Sequence, residues 1–312
     1  MNATKPKLLY IASNGRSGST VLEMLLNVSP HMWTLGEFHV LPWEIRRNVK
    51  PCGCGARVMD CELWGPVIAE HQETLVRGSI DRFRRGYNVD RTLRFKELPE
   101  LLSGRLRENA AKMADVRRYA NHNRVVCEAV ERRAKQLGKT QLTWLVDSSK
   151  SPYRLMWLAA SDQFELRVIH LIKDPRAFAY SVAKHTSGLF QAYRVARAVA
   201  RWQVENRLFD ALTRHYLRPE QVFRLQYEQL ANDPDDSLRR IAVWIGLPAW
   251  TCAAASFREA NHGISGNPAR FDTSGIQLDE QWKRGLSPSL QRLAFRCGWQ
   301  LASRYGYHNT YA

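Results

Sequence analysis

The chain has 312 residues, with 46 Lys and Arg against 30 Asp and Glu, and its formal net charge is +16. This length suits a single α/β domain, and a charge of this size predicts a polyanionic partner. No segment has the length and apolar content of a membrane span, and the first residues run into an apolar strand pattern without a secretory signal. We therefore expect a cytoplasmic protein with no transmembrane segment.

A glycine-rich turn follows the first apolar run. Residues 8–12 predict a strand, residues 13–20 a turn and residues 21–26 a helix. Gly15 and Gly18 allow the backbone to curl, so that successive N–H groups converge beside the positive end of the helix dipole. This arrangement predicts a binding site for a phosphorylated ligand. Its polar side chains belong to Asn14, Arg16, Ser17, Ser19 and Thr20.

The turn differs from the loop of nucleotide hydrolases, which places a Lys directly before the Ser or Thr. Gly18 stands in that position before Ser19, and the positive charge comes earlier, from Arg16. The loop therefore lacks the usual contact to the terminal phosphates of ATP or GTP. Two rival classes stay open at this point: a P-loop kinase or NTPase, and a non-catalytic protein that binds nucleic acid or another anionic polymer.

The segment after the first helix contains acid–base candidates and a group of cysteines. Glu37 and His39 lie where a second strand is expected to end, and Cys52, Cys54 and Cys61 follow. A zinc site needs four ligands, so these cysteines are one short. The candidates for the fourth ligand are His39, His71 and Cys127. Reduced structural thiols and a disulfide are the alternatives, and a reducing cytosol disfavours the disulfide.

Arg residues are frequent between residues 77 and 133, at helix-like spacing and beside Glu. The segment contains no recognised nucleic-acid module and no aromatic stacking platform. Runs of charge of this kind are usually solvated helix faces, so we expect no nucleic-acid partner.

Two later strands are each followed by polar residues. Residues 144–146 predict a strand that leads to Ser149 and Lys150. Residues 164–172 predict another, and Lys173 follows it directly. A helix then begins, with Asp174 suited to its N-cap and Pro175 to its first turn.

The pattern as a whole alternates longer helical stretches with short apolar runs at residues 8–12, 144–146, 167–172 and 222–225. Such alternation is typical of βαβ units and a parallel sheet. We predict a three-layer α/β/α fold with a central parallel sheet and a P-loop-like turn, and ligands at the C-terminal ends of the strands. Residues 1–312 are expected to form one domain, with a helical, cysteine-containing cap inserted at about residues 42–141.

These segments together resemble the sulfotransferases that use 3′-phosphoadenosine-5′-phosphosulfate (PAPS). In that family the first loop holds the 5′-phosphosulfate, and a later Arg-Asp-Pro-Arg segment followed by a Ser holds the 3′-phosphate. The resemblance implies that Lys173 and Ser181 contact the 3′-phosphate, with Lys keeping the charge of the usual Arg but not its bidentate fork. It implies further nucleotide contacts from Asn14, Gly15, Arg16, Ser17, Gly18, Ser19, Thr20, Tyr227, Asn267 and Arg270.

The resemblance also implies the catalytic roles and the substrates. Sulfuryl transfer needs a base for the acceptor hydroxyl and cations for the charge on the leaving oxygen. Tyrosylprotein-type and bacterial members imply Glu37 as the base, with His39 as the alternative. Arg16 and Lys150 are the expected cations, and Ser149 is a possible helper. The implied donor is PAPS, the product is adenosine 3′,5′-bisphosphate, and no metal is required. The expected acceptor is a hydroxyl of a carbohydrate or glycolipid, and a phenolic or other small natural product is the alternative.

Overall fold

The computed structural model describes residues 5–49, 51–77, 80–83, 94–251, 261–266, 271, 276 and 278–308. Its centre is a five-stranded parallel sheet with the strand order β2-β3-β1-β4-β5. The strands are β1 (Lys7–Ser13), β2 (Met32–Gly36), β3 (Trp144–Asp147), β4 (Glu165–Ile172) and β5 (Val222–Gln226). The predicted parallel α/β sheet is therefore confirmed.

Strand β1 occupies the middle of the sheet because its side chains are apolar on both faces. It pairs with β4 from Lys7↔Glu165 to Ser13↔Leu171, and with β3 on its other edge. Successive side chains of a strand point to opposite faces. Thus Tyr10 joins one hydrophobic core and Ile11 joins the other.

Helices cover both faces of the sheet. The helices before β3 are α1 (Ser19–Asn27), α2 (Leu41–Arg47), α3 (Trp64–Glu70), α4 (Gln72–Arg77), α5 (Leu98–Ser103) and α6 (Ala110–Gln136). Those after it are α7 (Pro152–Ser161), α8 (Pro175–Ala183), α9 (Gly188–Tyr216), α10 (Tyr227–Asn232), α11 (Pro234–Ile245), α12 (Gln281–Gly285) and α13 (Pro288–Arg304). Short 3₁₀ helices are Phe38–Val40, Val58–Asp60, Ile80–Phe83, Arg105–Glu108 and Pro219–Gln221.

The two main hydrophobic cores define the outer layers. Helices α6 and α7, with the C-terminal half of α9, pack on the face that carries Leu8. Helices α1, α10 and α11 pack on the face that carries Leu9. A third core joins α8, the first half of α9 and α13. The arrangement is helix–sheet–helix, as the sequence pattern predicts.

The connection from β2 to β3 spans more than a hundred residues, and its described part carries α2 to α6. Its longest helix, α6, lies against α7 and the sheet core. The division into one domain with a cap at about residues 42–141 stays a prediction. Among the described residues, none of the helices combines the length and hydropathy needed to cross a bilayer.

Candidate active site

The last residue of β1 and the turn that follows it carry buried hydroxyl groups. Ser13 and Ser17 are fully buried, and within the described residues the Oγ atom of each has no hydrogen-bond partner. Arg16 has a φ of 76°, and its Nε donates to the backbone oxygen of Ser181 (3.1 Å). Buried polar groups in folded proteins are almost always satisfied. These two hydroxyls are therefore available to donate hydrogen bonds to an anionic ligand.

The helix α9 fixes the start of this turn. Asn14 Nδ2 donates to Glu205 Oε2 (2.7 Å), and Asn206 Nδ2 donates to Asn14 Oδ1 (2.8 Å). Arg201 Nε in turn donates to Glu205 Oε1 (3.2 Å). A Cβ on Gly15 would lie 3.4 Å from a guanidinium nitrogen of Arg201, so this charge borders the turn. None of these three α9 residues was predicted from the sequence as a site residue.

The end of the turn meets Lys173, which directly follows β4, and Tyr227, the first residue of α10. Gly18 has a φ of 84°, and a Cβ there would lie 2.2 Å from Cδ2 of Tyr227, so only Gly allows this approach. Lys173 Nζ lies 4.5 Å from the Tyr227 ring centroid and 3.8 Å from Asp279 Oδ2. Burial lowers the pKa of Lys173, against the opposing effect of Asp279. The structure thus brings Gly18, Tyr227 and Lys173 together, and their contact with a nucleotide stays a prediction.

The helix that follows Lys173 begins as predicted. Asp174 is its N-cap and accepts from the backbone N–H of Arg176 (2.7 Å), with Pro175 in the first turn. Ser181 lies two turns further along, and its Oγ donates to Phe178 O (2.7 Å). The backbone oxygen of Ser181, rather than its hydroxyl, contacts Arg16.

Glu37 and Lys150 form an ion pair although they are 113 residues apart. Lys150 Nζ donates to Glu37 Oε1 at 2.7 Å, with the Lys side chain 8% and the Glu side chain 28% exposed. Gly36, with a φ of 68°, lies directly under the backbone of Ile264, where a Cβ would approach to 2.4 Å. The Glu37 N–H donates to Ile264 O (2.8 Å). Glu37 is therefore held by its backbone while its carboxylate remains partly exposed.

His39 and Ser149 lie beside this pair in more buried positions. The His39 N–H donates to Ser149 Oγ (3.2 Å), and the Ser149 N–H donates to Asp147 Oδ1 (2.9 Å). Only 2% of His39 is exposed, and burial lowers its pKa to about 3. At neutral pH its imidazole is uncharged and weakly basic.

Four predicted cofactor-binding residues remain to be located. Ser19 and Thr20 form the first turn of α1, where Ser19 is buried. Asn267 and Arg270 lie outside the described residues.

A buried ion pair missed by the sequence analysis supports the loop that carries Lys150. Asp147 Oδ2 accepts from Nε (3.0 Å) and Nη2 (2.7 Å) of Arg154, and neither side chain is exposed. Arg154 Nη1 also donates to the Tyr119 hydroxyl (2.5 Å) and Asn123 Oδ1 (2.7 Å) on α6. The sequence does contain a signal for this pair, because Arg154 is the single charged residue of α7 (Pro152–Ser161).

The three clustered cysteines are joined by a residue that the sequence analysis did not consider. Cys52, Cys54 and Cys61 lie together with His262, and the described cysteines are all unbonded. His39, His71 and Cys127, the candidates for a fourth ligand, do not belong to this cluster, because the loop at residues 261–264 folds back onto the cysteine segment and brings His262 to it. Cys252 lies outside the described residues.

The glycine-rich turn after β1 and the Glu37–Lys150 ion pair lie at the same edge of the parallel sheet, which is the usual position of ligand sites in α/β folds. The family model described as the sulfotransferase family matches residues 9–251. The chain therefore belongs to the sulfotransferase family and is a transferase.

Two solved sulfotransferase domains share the fold of this chain. The sulfotransferase domain of the Synechococcus PCC 7002 olefin synthase has 22% identity and a TM-score of 0.55, over 99% of this chain and 98% of that one. The sulfotransferase domain from the curacin biosynthetic pathway has 16% identity and a TM-score of 0.53, over 97% and 98%. None of the curated proteins matches this chain.

Proposed function

We propose that the protein transfers the sulfuryl group of PAPS to a hydroxyl of its acceptor. The observation that carries this proposal is the Glu37–Lys150 pair at the same sheet edge as the anion turn. A base, a cation and an oxyanion cradle are the parts that sulfuryl transfer requires. The absence of a Lys before Ser19 argues against an ATP- or GTP-dependent kinase.

The residues divide into a donor site and a reacting group. The donor site comprises the turn with Asn14, Gly15, Arg16, Ser17, Gly18, Ser19 and Thr20, together with Lys173, Ser181 and Tyr227. The buried Ser17 hydroxyl and the Arg16 charge suit a phosphosulfate, and the buried Lys173 ammonium beside Tyr227 suits a 3′-phosphate next to an adenine nucleotide. Asn267 and Arg270 belong to the same proposal on the strength of the family resemblance.

Glu37 takes the proton of the acceptor hydroxyl, whose oxygen forms the new bond to sulfur. PAPS supplies an activated sulfuryl group whose leaving group is adenosine 3′,5′-bisphosphate. Lys150 and Arg16 donate hydrogen bonds to the oxygen that leaves. Ser149 holds the loop that carries Lys150. His39 is less suited to the role of base, because burial keeps its pKa at about 3.

We further propose a carbohydrate or glycolipid as the acceptor. The net charge of +16 favours an acidic acceptor, and the start of α9 exposes Leu189, Phe190 and Tyr193 shortly after Ser181. A high net positive charge together with exposed apolar side chains suits an amphipathic molecule such as an acidic glycolipid. Transfer assays with radiolabelled PAPS on glycolipid, free glycan and phenolic acceptors test this. Turnover of phenols alone would favour the small natural product.

The donor is tested by thermal unfolding with adenosine 3′,5′-bisphosphate, adenosine 5′-phosphate, ATP and GTP at equal concentration. A ligand about a hundredfold above its Kd stabilises the folded state by about 2.7 kcal/mol, which raises Tm by several degrees. We expect the bisphosphate to give the largest shift. A larger shift with ATP or GTP, or no shift with any ligand, would contradict the proposal.

Replacement of Lys173 by Ala is expected to weaken the bisphosphate and spare adenosine 5′-phosphate. A charge-assisted hydrogen bond contributes about 1.5–3 kcal/mol, which corresponds to a rise in Kd of about 10–150-fold. Calorimetric titration of both ligands measures the difference. Equal losses for the two nucleotides would remove Lys173 from the 3′-phosphate site.

The Lys173→Arg variant is the matched control, because a guanidinium does not titrate in the accessible pH range. Burial lowers the pKa of Lys173, and its charged form is the one that binds phosphate. Affinity for the bisphosphate is therefore full below this pKa and falls as the pH rises through it. The 3′-phosphate itself is ionised above about pH 7. We expect the alkaline loss of affinity in the native chain and none in Lys173→Arg.

A further inference from the structure

Four side chains with sulfur or nitrogen donor atoms converge where the segment between α2 and α3 contacts residues 261–264. They belong to Cys52, Cys54, Cys61 and His262, and their ligand atoms all lie within 4.8 Å of one another. Cys52, Cys61 and His262 are buried and Cys54 is exposed. The catalytic proposal uses none of these side chains.

The spacing of the donor atoms matches ligands that share one ion. The Sγ atom of Cys61 lies 3.8 Å from that of Cys54 and 3.6 Å from that of Cys52. Two thiolates bound to tetrahedral zinc at about 2.3 Å lie about 3.8 Å apart, whereas a disulfide needs about 2.05 Å. The Nδ1 atom of His262 lies 3.2 Å from Cys61 Sγ, which completes a set of three sulfurs and one nitrogen.

The surroundings of His262 provide independent support. Its Nε2 lies 3.4 Å from Glu62 Oε1, on the side of the ring away from Cys61. Its ring stacks on Trp33 with centroids 5.4 Å apart, and its backbone oxygen accepts from Trp64 Nε1 (2.6 Å). Histidines that bind zinc typically donate their second ring N–H to a carboxylate, which fixes the tautomer and the ring orientation.

The backbone around the cysteines forms a tight turn. The Cys52 N–H donates to Ala56 O (2.8 Å), and the Gly55 N–H donates to Cys52 O (2.9 Å). A Cβ on Gly53 would lie 2.5 Å from Asn261 O, so the turn packs directly on the chain that leads into His262. Two distant segments are thus held in contact at the four side chains.

We propose that Cys52, Cys54, Cys61 and His262 bind one structural Zn²⁺. Four protein ligands leave no open position, which is the property of structural rather than catalytic zinc. The metal joins the segment of residues 52–61 to residues 261–264. Since Ile264 O accepts from the Glu37 N–H, the metal also positions the proposed base.

The first test measures the metal content of the purified full-length chain by mass spectrometry. We expect about one zinc per chain, and less than about a tenth of that in Cys61→Ser, which loses a thiolate ligand. Cys127→Ser is the matched control, because Cys127 is a buried thiol outside the cluster. A native chain without zinc after growth in zinc-supplemented medium would overturn the proposal, and so would a disulfide among the three cysteines.

A second measurement does not depend on whether a variant folds. Addition of Co²⁺ to the native chain after chelation should produce the visible bands of tetrahedral thiolate-bound cobalt. His262→Ala should weaken or remove these bands, and His262→Cys should restore them with a stronger sulfur contribution. An octahedral cobalt spectrum, or identical spectra in all three proteins, would contradict the site. Neither measurement involves PAPS, so their outcome is independent of the proposed function.

Discussion

Replacement of Glu37 by Gln is expected to lower kcat by about 10²–10⁴-fold, the usual contribution of a general base. The amide oxygen of Gln still accepts the hydrogen bond from Lys150 Nζ, so the loop geometry is retained while the proton acceptor is lost. Affinity for adenosine 3′,5′-bisphosphate should be unchanged. Single-turnover transfer from labelled PAPS, together with calorimetric titration of the bisphosphate, measures both quantities.

Glu131→Gln is the matched control, because Glu131 is a surface carboxylate that pairs with Lys135 on α6. It should transfer at the native rate. If Glu37→Gln also does so, Glu37 is not the base. Loss of turnover in His39→Gln with a native rate in Glu37→Gln would assign the role to His39 instead.

Much of the fold was predictable because its signals are local. The apolar run at residues 8–12 became β1 (Lys7–Ser13), and the run at 222–225 became β5 (Val222–Gln226). The glycines of the first turn and the Asp-Pro start of α8 are also local signals, and both lie where they were predicted. In a parallel sheet the ends of neighbouring strands meet at one edge. Glu37 follows β2 and Lys150 follows the neighbouring strand β3, so the sheet alone places the two residues close together.

The contacts that the sequence analysis missed are those between distant segments. Asn14 is held by Glu205 and Asn206, about 190 residues away, on a helix whose charges resemble an ordinary solvated face. The only sequence trace of this role is the pair of Arg201 and Glu205 at i,i+4 spacing. His262 is 201 residues from Cys61, so ligand spacing near the cysteines could not identify it. The contact between Cys61 and His262 depends on how residues 52–61 pack against the loop at residues 261–264.

Replacement of Asp147 by Asn is expected to destabilise the fold by about 3–5 kcal/mol, because it leaves the fully buried guanidinium of Arg154 without its counter-charge. Burial alone would lower the pKa of Arg154, but the Asp147 carboxylate raises it above its ordinary value, so the native pair is charged. Asn has one amide oxygen where the carboxylate has two, so it cannot accept from both the Ser149 N–H and Arg154, and kcat should fall as well. Urea unfolding measures the loss as a lower midpoint with an unchanged slope.

Two further variants separate the buried charge from a general effect of the substitution. Asp115→Asn breaks an exposed pair with Arg118 on α6, and such surface pairs contribute only about 0–1 kcal/mol. The double variant Asp147→Leu/Arg154→Met removes both buried charges, and replacement of a buried pair by apolar residues is often neutral for stability. We expect it to recover most of the stability but not the transfer rate, since Leu at position 147 removes the acceptor of the Ser149 N–H. Equal destabilisation by Asp147→Asn and Asp115→Asn would show that the Asp147–Arg154 pair does not hold the loop against α6.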